Sequence, residues 1–239
     1  MISRAPAPCL ADGTSGRETA VATPRDPSAL ARRCLRKRAG TLFERVDHSV
    51  HCRRAAWAFR EVAVHVPSGA RVLNFGAGDC LFSRMIEIAR GCRVTNVDVV
   101  DTNLTDMAVD VYNGVELPYP DASFDVVITQ FVLHHCIEQE RVLREIARVC
   151  RTLFLAIEDR CETSRDLRIL RLIHWYLGKV EGMPPEHCRF RSADAWAAMF
   201  RQSGFRVAST RTWPRYLGFL PPGTILIDAR PEGRAGDSA

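Results

Sequence analysis

The chain has 239 residues, 46% of them hydrophobic and 26% charged, with a formal net charge of +5. This composition fits one globular domain with additions and a real buried core. It excludes a membrane-spanning chain, since no run approaches the roughly 20 apolar residues a helical span needs, and the N-terminus lacks the apolar core of a secretory signal, so a cytoplasmic protein is expected.

Residues 1 to 27 are rich in Ala, Pro, Gly, Ser and Thr and show no hydrophobic period. They read as a disordered tail. Residues 28 to 66 read as a helical extension. Its first part, "ALARRCLRKRAG", carries Arg32, Arg33, Arg36, Lys37 and Arg38. A solvated helix covering the domain is the favoured reading, with contact to nucleic acid or acidic lipid as the alternative. From Leu42 onward Phe43, Val46, Val50, Ala55, Phe59, Val62 and Val66 recur at helical spacing. Pro67-Ser68-Gly69 ends that helix.

Residues 67 to 232 then alternate strand and helix. "ARVLNF" is a strand, "CLFSRMIEIARG" a helix, "CRVTNVDVV" a strand. "SFDVVITQFVL" is a strand, "QERVLREIARVCR" a helix, "TLFLAIED" a strand. Such alternation with apolar strands implies a parallel sheet covered on both faces. Residues 162 to 190 interrupt it as an insertion, with Leu167, Leu170, Ile173 and Leu177 on one side of a helix. His174, Trp175, Tyr176 and the loop from Met183 to His187 lie there, where a substrate lid is often built. A helix from the capping Ser192 to Gly204 follows. "FRVASTRTW" and "GTILIDAR", joined through Pro221-Pro222-Gly223, read as an antiparallel pair. Residues 233 to 239 read as a frayed tail.

The nine cysteines run from Cys9 to Cys188 with no C-x-x-C pair. Neither a disulfide framework nor a metal site follows from that spacing, and most of these thiols read as small buried hydrophobes.

Chemistry concentrates in "RVLNFGAGDCLF". Gly76 and Gly78 follow a buried strand and precede a helix. Glycines there let the backbone turn sharply, and the helix start offers N–H groups to an anion. Asp98 ends the next strand, where an acid accepts hydrogen bonds from ribose hydroxyls. Leu81 stands where a dinucleotide fingerprint wants its last glycine, which counts against NAD.

"NGVELPYPDASFDVVITQFVLHH", from Asn113 to His135, with "LREIARVCR" after it, resembles the class I S-adenosylmethionine-dependent methyltransferases. The resemblance covers about residues 68 to 158, more loosely onward through "FRSADAWAAMFRQSGFRV". It implies a Rossmann-like α/β fold: a mostly parallel seven-stranded sheet, an antiparallel last strand and helices on both faces. It implies S-adenosylmethionine as cofactor. Asn74 and the turn Phe75, Gly76, Ala77 and Gly78 would hold the methionine part. Asp98 would bind the ribose and Val99 would pack on the adenine. Asn113, with Gly114 after it, would meet the adenine amine. Gln130 and Phe131 would face the sulfonium.

Three positions depart from the family pattern. Asn74 replaces an Asp and would lose a charge facing the cofactor's ammonium. Cys80 replaces a glycine, and Asn113 replaces an acid. His134 and His135 are candidate bases or parts of a structural turn. Glu158 and Asp159 end the fifth strand at the same edge, and Asp159 could orient a substrate or take a proton. His135 and Asp159 are the catalytic candidates. The expected reaction is methyl transfer to an oxygen, nitrogen or carbon of a small molecule. A degenerate binding or accessory protein is one alternative, and an RNA-modifying enzyme another. The family's Asn-Pro-Pro-aromatic motif for base amines is absent after the fourth strand, which argues against a nucleic-acid substrate. The oligomeric state is not legible.

Overall fold

The computed structural model describes residues 26–36, 40–181, 188–214 and 223–233. The expectations for residues 1–25, Lys37, Arg38, the loop from Met183 to His187, Pro221-Pro222 and the last residues lie outside these. The elements are α1 (Pro27–Cys34), α2 (Leu42–Val62), β1 (Arg71–Phe75), α3 (Leu81–Arg90), β2 (Arg93–Asp98) and β3 (Asp110–Val111). β4 (Phe124–Gln130), α4 (Gln139–Val149), β5 (Cys150–Asp159), α5 (Ser164–Glu181), α6 (Ala193–Gln202), β6 (Phe205–Trp213) and β7 (Thr224–Pro231) follow.

Seven strands form one sheet in the order β3-β2-β1-β4-β5-β7-β6. β7 runs antiparallel to both neighbours, and the remaining pairs are parallel. This is the expected Rossmann-like architecture. The side-chain period of two sorts each strand onto two faces. Val72, Val126, Ile128, Leu155 and Ile157 pack under α1, α2 and α3. Leu73, Val127, Phe154, Ala156 and Ile227 pack under α4 and α6.

Local chemistry sets the helix starts. Asp26 accepts from Ser28 N and Ala29 N ahead of Pro27, so the first helix opens one residue earlier than the composition implied. Thr41 and Glu44 form a reciprocal capping box on α2. The apolar period over α2 is only half realised. Phe59 and Val62 are fully buried, but Val46 and Val50 are exposed. Among the described residues no surface covers these two valines.

β1, β2, β4 and β5 all end on one edge of the sheet, at Phe75, Asp98, Gln130 and Asp159. The carboxyl ends of parallel strands, at the point where strand order reverses between β1 and β4, are where open α/β sheets bind ligands.

Candidate functional site

The glycine turn is held from three sides. Gly76 N and Ala77 N both donate to Val97 O, at 2.9 and 3.1 Å. Gly78 N donates to Asp98 Oδ2 at 2.9 Å, and Val99 N to Asp98 Oδ1 at 2.7 Å. Asp79 Oδ1 accepts from Leu81 N at the start of α3, and its Oδ2 meets His51 Nδ1 of α2 at 2.7 Å.

Gly76 has φ +70, and a Cβ there would lie 2.3 Å from the Val132 side chain, so only glycine passes. Gly78 has φ +52 and open space where its side chain would be. Phe75 itself is buried in the core, its ring edge-on to Tyr112, and can meet a ligand only through its backbone.

Asn74, expected at the cofactor, also bonds inward. It is 2% exposed, and its Nδ2 donates to Ser83 Oγ of α3 at 2.7 Å. Ser83 in turn donates to Asn96 Oδ1 of β2, and Asn96 Nδ2 donates to Ala108 O. The amide therefore belongs to a buried polar chain between sheet and helix. Its Oδ1 is buried with no partner among the described residues, an acceptor left over beside the turn.

Cys80 takes φ 59, the left-handed conformation that glycine adopts freely. Burial pushes its thiol up to about 12. Asn113 Oδ1 accepts from Val115 N and Glu116 N, so its carbonyl first shapes its own turn. Val99 stays exposed, next to Gly114, whose added Cβ would lie 3.4 Å from the Val99 side chain. An apolar side chain beside a bare glycine is a surface a flat ring can cover.

The β4 end is strained and enclosed. Phe131 has φ 60, with its N–H donating to Ile157 O at 2.7 Å. The Arg54 guanidinium of α2 lies over its ring, 5.0 Å from the centroid, and Arg54 Nη2 donates to Gln130 O at 3.4 Å.

Beyond it, a one-turn 3-10 helix, Leu133–His135, begins a buried titratable cluster. Glu158 Oε1 accepts from Val132 N and Leu133 N, and its Oε2 meets His134 Nδ1 at 2.7 Å. His134 Nε2 lies 3.0 Å from His174 Nε2, while His174 Nδ1 donates to Leu170 O at 2.9 Å. Asp159 Oδ2 is 4.0 Å from His134 Nε2 and 3.9 Å from His174 Nε2. His135 Nδ1 is 3.4 Å from Cys188 Sγ.

Burial drives these groups toward their neutral forms. It raises Glu158 to about 7, and with the nearby Glu158 charge it raises Asp159 to about 7. It lowers His134 and His174, and takes His135 down to about 2. Glu158 and His134 are therefore better described as a shared-proton hydrogen bond than as an exposed-type ion pair.

The edge thus gathers Gly76, Gly78, Asp98, Val99, Gln130, Phe131, His135 and Asp159, with Asn113 and Gly114 on its β2–β3 flank. Asn74 and Phe75 sit behind it. The residues fit a cofactor with an amino-acid part and a nucleoside part. The turn is open at Gly78, Asn74 Oδ1 is an orphan acceptor, and each Asp98 oxygen retains a lone pair. Three features had no local signal in the sequence: the His51–Asp79 link, the Arg54 lid on Phe131, and the His134–His174 contact. Each joins residues at least 28 positions apart.

Among known proteins, the family described as methyltransferase domain matches residues 73–153. The methyltransferase YcgJ of Bacillus subtilis is 26% identical over 156 residues, 60% of each chain. The 27-O-demethylrifamycin SV methyltransferase of Amycolatopsis mediterranei is 33% identical over 97 residues, 35% of this chain and 36% of its own. The chain thus spans less than two thirds of either relative. A chain of the complex between the Haloferax volcanii Trm112 methyltransferase activator and a candidate methyltransferase superposes with a TM-score of 0.60. That match is 18% identical and covers 85% of this chain and 96% of that one, a likeness of fold.

Proposed function

The chain belongs to the class I S-adenosylmethionine-dependent methyltransferases, and from that premise we propose that it methylates an oxygen, nitrogen or carbon of a small molecule. The observation that carries the reading is the shared edge of β1, β2, β4 and β5. It brings the glycine turn, Asp98 and the Gln130-Phe131 corner against His135 and Asp159. When bound, the cofactor supplies an electrophilic methyl group on a sulfonium.

The chain's own residues divide the remaining work. Asp98 accepts from the ribose hydroxyls while still holding Gly78 N and Val99 N. Val99 and Gly114 cover one face of the adenine, and Asn113 meets its amine. Gln130 and Phe131 wall the methyl, with Arg54 closing that wall from outside. Fixing donor and acceptor in line and keeping water out accounts for most of what such a transfer needs. His135 and Asp159 stand against the acceptor. The rifamycin-directed relative, named for an O-demethylated substrate, supports a small-molecule acceptor.

The inward bond of Asn74 supports a working site over a degenerate one, because its neutral amide serves the fold. Arg32 and Arg36 lie 3.7 and 3.5 Å from Asp26 and Asp106, which supports a solvated surface there rather than an RNA contact.

Calorimetric titration of the full chain with S-adenosylmethionine and its demethylated product tests the reading. Micromolar binding is expected, weakened roughly 10- to 100-fold in Asp98→Ala by loss of charge-assisted hydrogen bonds. Folded protein with no binding of either compound would overturn it.

A further inference from the structure

Two imidazoles in the buried cluster meet at their Nε2 atoms. His174 Nδ1 donates to Leu170 O, so a neutral His174 has no proton on Nε2. His134 Nδ1 faces Glu158 Oε2, and when that carboxylate is ionised His134 Nε2 is bare too. Yet the two Nε2 atoms are 3.0 Å apart, with Asp159 Oδ2 about 4 Å from both. A ring nitrogen of His135 completes a set lying within 4.8 Å with His134 and His174. Three imidazole nitrogens converge on one small volume, with the Asp159 carboxylate near two of them.

One shared proton would relieve the His134–His174 contact. It would not account for the convergence of a third imidazole and a carboxylate whose only close partners among the described residues are those two rings. We propose that His134, His135 and His174 bind a divalent transition cation of the zinc type, with Asp159 beside the His134 and His174 ligand atoms. Bonds of roughly 2.0–2.1 Å to a tetrahedral ion put neighbouring ligands about 3.3 Å apart. The observed 3.0 Å between His134 and His174, with His135 within 4.8 Å of both, lies on either side of that separation.

The outer groups match as well. Metal-binding histidines usually donate their other N–H to a carboxylate or a backbone carbonyl. Glu158 and Leu170 O are in those two positions. Arg54 adds an opposing positive charge, which the carboxylates of Asp159 and Glu158 offset. Imidazole-rich ligation favours zinc, cobalt or nickel over magnesium or calcium. With three protein ligands the fourth position stays open, and there the cation would polarise an acceptor oxygen or nitrogen and lower the pKa of its proton.

The inference needs neither cofactor nor acceptor, so its test separates it from the methyl-transfer reading. The full chain is stripped with chelator and titrated with Zn²⁺ by calorimetry. Co²⁺ is added in parallel and followed by visible absorption. One equivalent should bind, with cobalt bands of a four-coordinate site and a higher melting temperature with Zn²⁺. His174→Ala and His135→Ala should each weaken binding by at least about 100-fold, with folding checked by circular dichroism. His65→Ala, on an exposed turn away from the cluster, should leave binding unchanged. Absence of one-equivalent binding in folded wild type would overturn the proposal. So would binding that survives both cluster variants, or binding lost in His65→Ala.

Discussion

Ser83 is a small residue with two obligations. It receives the Asn74 amide and gives its proton to Asn96, at a fully buried point between α3 and the sheet. Ser83→Ala would leave both amides short of a partner, and an unmade buried hydrogen bond costs about 1–3 kcal/mol. Urea unfolding should show a loss of that size, with secondary structure retained. Cys80 is different: it occupies a glycine's conformation and is fully buried. With its thiol pushed up to about 12, it should resist maleimide in native protein at pH 7.5. Mass mapping should find it modified only after unfolding.

His51 illustrates the same scale through charge. Its pKa is raised, chiefly by the hydrogen bond to Asp79, with Asp47 adding to the shift while burial and Arg54 oppose it. A raised folded-state pKa means the link contributes fully below the unfolded value of about 6.5. The contribution is lost as pH rises through the folded value. His51→Ala should therefore cost about 0.5–1 kcal/mol at pH 6 and progressively less above neutrality. Paired melts of wild type and variant across pH 5.5 to 9 would show the gap narrowing upward; a gap widening upward would refute this assignment.

At the scale of elements, α6 is the helix whose loss would be felt furthest. Trp196 is fully buried against the sheet, and its Nε1 donates to Asp159 O at 3.0 Å. Trp196→Ala should destabilise by about 3–5 kcal/mol. It should also release the β5 end, which a chemical-denaturation series and hydrogen exchange at residues 157–159 would register together. Elements of this kind were legible because their signals are local. β6 falls on the nine residues that its apolar and β-branched run marked out, and α6 starts at its capping serine. β3 was missed because two residues, Asp110 and Val111, carry no period at all. The first half of α2 misled because a helical repeat shows only that a stripe exists, not that anything covers it. The glycine turn and Asp98 were readable within a single strand–turn–helix–strand unit. The bond from Asn74 to Ser83 had no signal of its own, since the sequence cannot say which neighbour an amide will choose.

The whole molecule puts N-terminal and C-terminal material at the same working edge. α2 reaches the glycine turn through His51 and the β4 corner through Arg54. α5 brings His174 across 40 residues to His134. A shortened chain beginning at Ser68 would retain every residue that the family match covers, yet lose the ties on the turn. It should bind S-adenosylmethionine at least about tenfold more weakly than the full chain, or fail to fold, since it removes α1 and α2 and leaves α3 alone of the three helices on that face.

The sheet order has its own consequence for the chain as it is made. β7, the last strand, inserts between β5 and β6. Six register pairs join it to β5, with Ile225, Leu226 and Ile227 among them. During synthesis the β5 flank waits, unpaired, while roughly 65 further residues emerge, at about 5–20 residues per second. A nascent chain stalled before Thr224 would present an open apolar strand flank to its neighbours on the polysome. Chaperone demand and any tendency to aggregate should therefore rise once β5 has emerged and fall away only when β7 leaves the exit tunnel.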